Sequence, residues 1–158
     1  MTSESDRPIV VAVDFTPCSR AALAVARELA SVGRGPLLIV HVLADAPLGG
    51  AAALAMQASA RGLTPDALAL SEAERRMEEF LCHAGPTTPG ERTRIEVGPA
   101  AARIVGVARD EHARVIVIGT HGRGRIGHAV LGSVARDVMH QFTDRVIAVH
   151  ESAADGDS

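Results

Sequence analysis

A chain of 158 residues with a formal net charge of -3 has room for one ordinary domain, and not for a cofactor domain plus a separate substrate domain. Hydrophobic residues make up 47% and charged residues 22%, a globular composition, and with Trp and Tyr absent and Phe numbering 3 the core has to be aliphatic. All 16 basic residues are Arg and they are scattered, so nothing points to nucleic acid or an anionic membrane, and no lysine is present to serve as a phosphate clamp, a Schiff base or an amine base.

The opening "MTSESDRP" is polar and acidic, without the charged-then-apolar pattern of a signal peptide, and residues 1–7 read as a flexible N-terminus. No apolar run approaches the ~20 residues that cross a bilayer, and a soluble cytoplasmic protein is expected. Cys18 and Cys82 stand apart, with no C-x-x-C pair or His cluster, as two reduced thiols.

The first aliphatic run, "IVVAV" at 9–13, is followed by Thr16-Pro17, a cap and a first-turn proline, and then by Leu23, Ala26, Leu29 and Ala30 on one helical face. "PLLIVHVL" at 36–43 is the second strand. Residues 44–62 are rich in Ala and Gly, lack punctuation, and read either as a loop or as a poorly capped helical insertion. Thr64-Pro65 repeats the capping device ahead of Leu70, Ala73, Met77, Phe80 and Ala84, with Glu72, Arg75, Arg76 and Glu79 left for solvent.

"TRIEV" at 93–97 alternates, as an edge strand does, and Pro99 opens a helix carrying Ala101, Ile104, Val105 and Ala108. "RVIVIG" at 114–119 is the fourth strand. A last helix begins near Ser133 with Ala135, Val138, Met139 and Phe142, and "RVIAVH" at 145–150 is the fifth strand, ahead of an acidic tail at 151–158. Four of the five runs are nearly continuous Val, Ile and Leu, the pattern of strands covered on both faces. Alternation with helices makes a single-domain α/β fold over 8–150, an open parallel sheet with helices on both faces.

Residues 119–134, "GTHGRGRIGHAVLGSV", fit two glycine templates. Gly122, Gly124 and Gly127 spell the dinucleotide fingerprint, which demands a helix at once; Gly132 would then lie inside that helix at a cost of about 0.5–1 kcal/mol, and only one strand follows. Gly119, Gly122, Gly132 and Ser133 spell a mononucleotide loop instead. In that template Gly119 turns the chain, Gly122 admits backbone N–H groups to an anion, and Gly132-Ser133 open a helix whose positive end faces the phosphates. Arg123 and Arg125 add charge from the nine-residue flap at 123–131.

The runs "VVAVDFT" (10–16), "LIVHV" (38–42) and above all "VIVIGTHGRGRIGHAVLGSVA" (115–135) resemble the universal stress proteins, ATP-binding subclass, over residues 8–150. The resemblance implies a five-stranded parallel sheet in the order 3-2-1-4-5, of the adenine nucleotide alpha-hydrolase-like kind. It also implies homodimers paired through the fifth strands (145–150), ATP with Mg2+ carried by the phosphates, a protein partner not named by the sequence, and a role in stress response or growth arrest. On the same basis Ala12, Val13, Asp14 and Val42 match positions around the adenosine half. Ile118, Gly119, His121, Gly122, Gly132, Ser133, Val134 and Ala135 match positions along the ribose and phosphates. The chain departs from the family pattern at Thr143-Asp144-Arg145, where Cys-Pro is common, and at Arg136, where an acidic or small residue is more usual.

Two residues carry alternatives. Asp14 either binds the ligand or builds a turn ahead of Thr16-Pro17, and Ser133 either meets a phosphate or caps a helix. His41 reads as a hydrogen-bonded core residue, and no histidine shows metal-ligand spacing. No nucleophile, base and orienting group can be read together, so catalysis beyond slow ATP hydrolysis is not expected. The alternative functions are a partner-binding or chaperone-like module and, less favoured, a small nucleotide-dependent enzyme.

Overall fold

In the computed structural model, which describes residues 4–33, 35–44, 50–121 and 131–151, five strands form one parallel sheet. They are β1 (Ile9–Ala12), β2 (Leu37–Leu43), β3 (Arg92–Val97), β4 (Val115–Gly119) and β5 (Arg145–Val149), in the order β3-β2-β1-β4-β5. β1, buried at all four of its positions, is central, and it pairs with β2 and β4 through Ala12 opposite Val40 and Ile118. β3, whose residues range from half-buried to exposed, lies at one edge as its alternation predicts.

Helices α1 (Pro17–Gly33) and α3 (Pro65–Cys82) cover one face, and α4 (Ala100–Asp110) and α5 (Ser133–Gln141) the other. Side-chain alternation along the strands divides the core accordingly. Val10, Ala12, Leu38, Val40, Ile116 and Ile118 pack toward α4 and α5; Ile9, Val11, Val13, Ile39, Val115 and Val117 pack toward α1 and α3.

Both Thr-Pro caps form. Thr16 Oγ1 accepts the Ser19 N–H at 3.3 Å, and Thr64 Oγ1 accepts the Ala67 N–H at 3.2 Å, each with proline in the first helical position. Residues 44–62, left open by the sequence, contain α2 (Ala51–Ala60), which packs on α3. Two expected core positions fall elsewhere. Leu70 and Met139 are each 39% exposed, while Leu68 is buried in place of Leu70, because α3 turns its Leu68–Ala73–Met77–Phe80 face inward. At the start of the described chain Glu4–Asp6 form a 3-10 turn, and Arg7 donates to the His112 and Ala113 carbonyls at 2.8 and 3.1 Å.

One buried ion pair ties the α1 face together. Arg27 donates to both oxygens of Glu91, at 3.0 and 2.7 Å, and to the carbonyl of Ala84, two residues past α3, at 2.7 Å. Burial pushes the Glu91 carboxyl up, but the Arg27 guanidinium and the Thr88 N–H and hydroxyl outweigh it and hold the group below the ordinary value.

Candidate functional site

β1 and β4 are neighbours whose following helices leave on opposite faces, α1 on one and α5 on the other, so the crevice past their C-terminal ends is the topological switch point of the sheet. Past β1 the chain turns at once. Asp14 Oδ1 accepts the Thr16 N–H at 3.1 Å and the Thr16 hydroxyl, which is the turn-building alternative for this residue. Among the described residues nothing donates to Asp14 Oδ2. Phe15 pays for the tightness of the turn with a φ of 65°, in the left-handed region, and its ring lies 4.2 Å from that of His41.

His41 is buried, and its Nδ1 lies 2.8 Å from the Val13 carbonyl, as expected of a core histidine. The Val13 N–H is given to Val40 O at 2.9 Å, and the Val13 side chain packs on the α1 and α3 face. Ala12, Val42 and Ile118 pack on the opposite side together with Leu131 and Ala135. The structure therefore gathers Ala12, Val42, Ile118 and Ala135 on one face and turns Val13 away from them.

Gly119 ends β4 beside the first turn of α1. A Cβ there would stand 3.0 Å from Cys18 Sγ and 3.1 and 3.2 Å from the Cys18 carbonyl carbon and oxygen. A side chain at 119 would thus fit only if the first turn of the helix that follows β1 gave way, a reason for glycine there that the sequence alone does not supply.

The next residue, Thr120, joins three elements. Its N–H donates to Val149 O of β5 at 2.9 Å, and its carbonyl accepts the Gly132 N–H at 2.6 Å, closing the base of the glycine-rich segment and setting the start of α5 against the end of β4. Its hydroxyl lies 2.9 Å from His121 Nδ1 and 3.2 Å from His150 Nδ1, and the two imidazoles meet edge to face with centroids 5.2 Å apart. The sequence singled out His121 but neither Thr120 nor His150; the available signal was that each follows a strand predicted to lie beside the other.

Gly132 is the N-cap of α5, with φ -58° and ψ 151°, and makes no side-chain cap hydrogen bond. Ser133 is the first helical residue and is exposed, so the helix-cap alternative for its hydroxyl does not hold. Val134 is 36% exposed and Ala135 is buried. The first turn of α5 holds no acidic side chain, leaving its N–H groups and positive end directed past the sheet. Arg136 meets Asp137 at 3.6 Å, the surface-carboxylate outcome for that departure. Gly122, Arg123, Arg125 and all of the flap except Leu131 lie outside the described residues.

The site is an anion-receptive helix end beside a half-buried carboxylate and two histidines, with an apolar patch formed by Ala12, Val42 and Ile118. Among the described residues no group of three or more His, Cys, Asp or Glu could hold a metal ion. No helix among them is long and apolar enough to cross a membrane. Cys18 is buried against Val149 O at 3.3 Å, and Cys82 is exposed.

Residues 7–150 match the model of the Universal stress protein family. Universal stress protein A homolog 1 of Coxiella burnetii is 29% identical over 143 residues, covering 89% of this chain and 94% of that one. The universal stress protein of Archaeoglobus fulgidus, solved in complex with dAMP, is 26% identical with a TM-score of 0.63, covering 90% of this chain and 97% of that one. A universal stress protein solved in complex with cAMP is 25% identical with a TM-score of 0.58, covering 92% of this chain and 98% of that one. With the order β3-β2-β1-β4-β5 and the family match spanning nearly all of its length, the chain belongs to the universal stress protein family.

Proposed function

We propose that this protein is an ATP-binding, homodimeric regulatory factor of stress response or growth arrest, acting in the cytoplasm. The observation that carries the nucleotide reading is the uncapped start of α5, held at the switch point by the 2.6 Å bond from the Gly132 N–H to the Thr120 carbonyl. Free N–H groups and a positive helix end there favour a phosphate chain, and the dAMP and cAMP complexes of the two relatives favour an adenine nucleotide.

The residues fit such a group. Ala12, Val42 and Ile118 offer the apolar surface for the adenosine half, with Asp14 Oδ2 able to accept from a ribose hydroxyl. The N–H groups of Ser133, Val134 and Ala135 would take the phosphates, joined by His121 and by Gly122 and Arg123 of the loop. Val13 contributes by holding His41 and the β1 end in place. Mg2+ would come with the phosphates, supplying charge neutralisation along them. The half-buried β5, at the sheet edge, would pair with its equivalent in a second copy, since an apolar edge is a hazard when left open.

The test is Gly132→Val, with ATP, ADP and cAMP titrated by calorimetry. The φ and ψ of Gly132 suit any residue, so the fold should survive while the added side chain blocks the helix end and ATP affinity falls at least about a hundredfold, a loss of about 2.7 kcal/mol. Retained ATP affinity would move the function to the partner-binding reading. Sedimentation giving a monomer at micromolar concentration would remove the dimer.

A further inference from the structure

Strand alternation sends Val42 toward α4 and α5, and His41 and Leu43 to the other face of β2. On that face α2 and α3 border an open cavity of about 450 Å³, on the side of β2 opposite Val42 and within the ~300–1,000 Å³ of small-molecule sites. Its apolar wall is Leu43 of β2, Leu54 of α2, and Leu68, Ala69 and Ala73 of α3, and the polar groups of Gln57 and His41 also reach it. The roof is unusual. α2 reads AAALAMQASA, without a single charged residue, and Met56 is 76% exposed, so the helix is a poor surface element whose inward contribution is Leu54 and Ala58.

Two guanidiniums, Arg61 and Arg76, join this apolar lining, and among the described residues neither has an ion pair or a hydrogen bond. Arg76 lies 4.8 Å from the centre of the Phe15 ring, which fixes it at the wall. Glu72, the one carboxylate in the lining, is already engaged by Arg75, which donates to both of its oxygens at 2.6 and 3.1 Å and reaches Glu79 at 3.1 Å. The cavity thus sets an apolar wall beside two guanidiniums against one carboxylate, Glu72, whose oxygens are held by Arg75 and which Arg61 and Arg76 feel only at longer range; the excess of positive charge is the complement of a molecule with an apolar body and one anionic end.

We propose that this cavity is a second ligand site, taking a small amphipathic carboxylate whose body lies along Leu54, Leu68 and Ala73 and whose carboxylate meets Arg61 and Arg76. Octanoate, titrated into the full chain by calorimetry with octan-1-ol as the uncharged match, tests it. Octanoate is expected to bind one to one and at least about fivefold tighter than the alcohol. An R61Q/R76Q double variant should weaken octanoate about tenfold and leave the alcohol unchanged, because both arginines lie outside the core. Ala69→Phe, at a half-buried wall position, should exclude both molecules while thermal melting stays at the parent value. Saturating ATP should leave octanoate bound. Absence of octanoate binding, equal affinity for the alcohol, undiminished affinity in the double variant, or displacement by ATP would each overturn the assignment.

Discussion

Gly119→Ala places a methyl group at the contact between β4 and α1. The new carbon would lie 3.0 Å from Cys18 Sγ and 3.1 and 3.2 Å from the Cys18 carbonyl carbon and oxygen, all shorter than an ordinary van der Waals contact of about 3.5–4.0 Å. The sulfur could move by rotation, but the carbonyl belongs to the first turn of α1 and moves only with the helix. Overpacking of this kind costs about 1–3 kcal/mol. For a domain of this size that corresponds to a fall in melting temperature of about 2–12 °C, read by calorimetry or circular dichroism. Because two of the three close atoms are backbone, adding Cys18→Ala should recover less than half of the loss. The same displacement of α1 disturbs the Asp14–Thr16 turn, so ATP affinity should fall as well. A Gly119→Ala variant melting within 1 °C of the parent, or full rescue by Cys18→Ala, would refute the assignment of this glycine to the helix contact.

Three further outcomes are expected. Because the Glu91 carboxyl titrates below its unfolded value, its stabilising contribution is present above the unfolded pKa and is lost as pH falls through the folded pKa; urea melts from pH 7 to pH 3 should show this acid loss in the parent and a smaller one in Glu91→Gln. Thr64→Ala removes the bond to the Ala67 N–H and should cost about 1 kcal/mol in urea unfolding, Thr64→Ser restoring most of it. His112, at φ 52°, is a non-glycine residue in the left-handed region, and His112→Gly should stabilise the protein by about 0.5 kcal/mol, strain relief of about 1–2 kcal/mol outweighing the entropic cost of glycine; a destabilised variant would show that the imidazole makes compensating contacts.

The five strands, the two Thr-Pro caps and the two-faced parallel class were legible because each is a local matter: continuous Val, Ile and Leu at 9–11, 37–40 and 115–118 suit a strand covered on both sides, and Thr16 and Thr64 bond to amides three residues away. The strand order was reached through family resemblance, since runs of equal apolarity carry no mark of which one is central. α2 was left open between a loop and a poorly capped helical insertion because an Ala-rich stretch has no periodic contrast; the structure shows the helix, packed on α3 and without a side-chain cap. Tertiary structure alone decided that Val13 faces away from Ala12, Val42 and Ile118, that Thr120 gathers His121 and His150, that Cys18 crowds the space beside Gly119, and that Arg27 finds Glu91. Adjacent His121 apart, the partners stand far from one another in sequence, 30 positions for Thr120 and His150 and 64 for Arg27 and Glu91, and are brought together by parallel register and helix placement. Local propensity determines which segments become strands and helices; which side chains then converge is a property of how those segments are stacked.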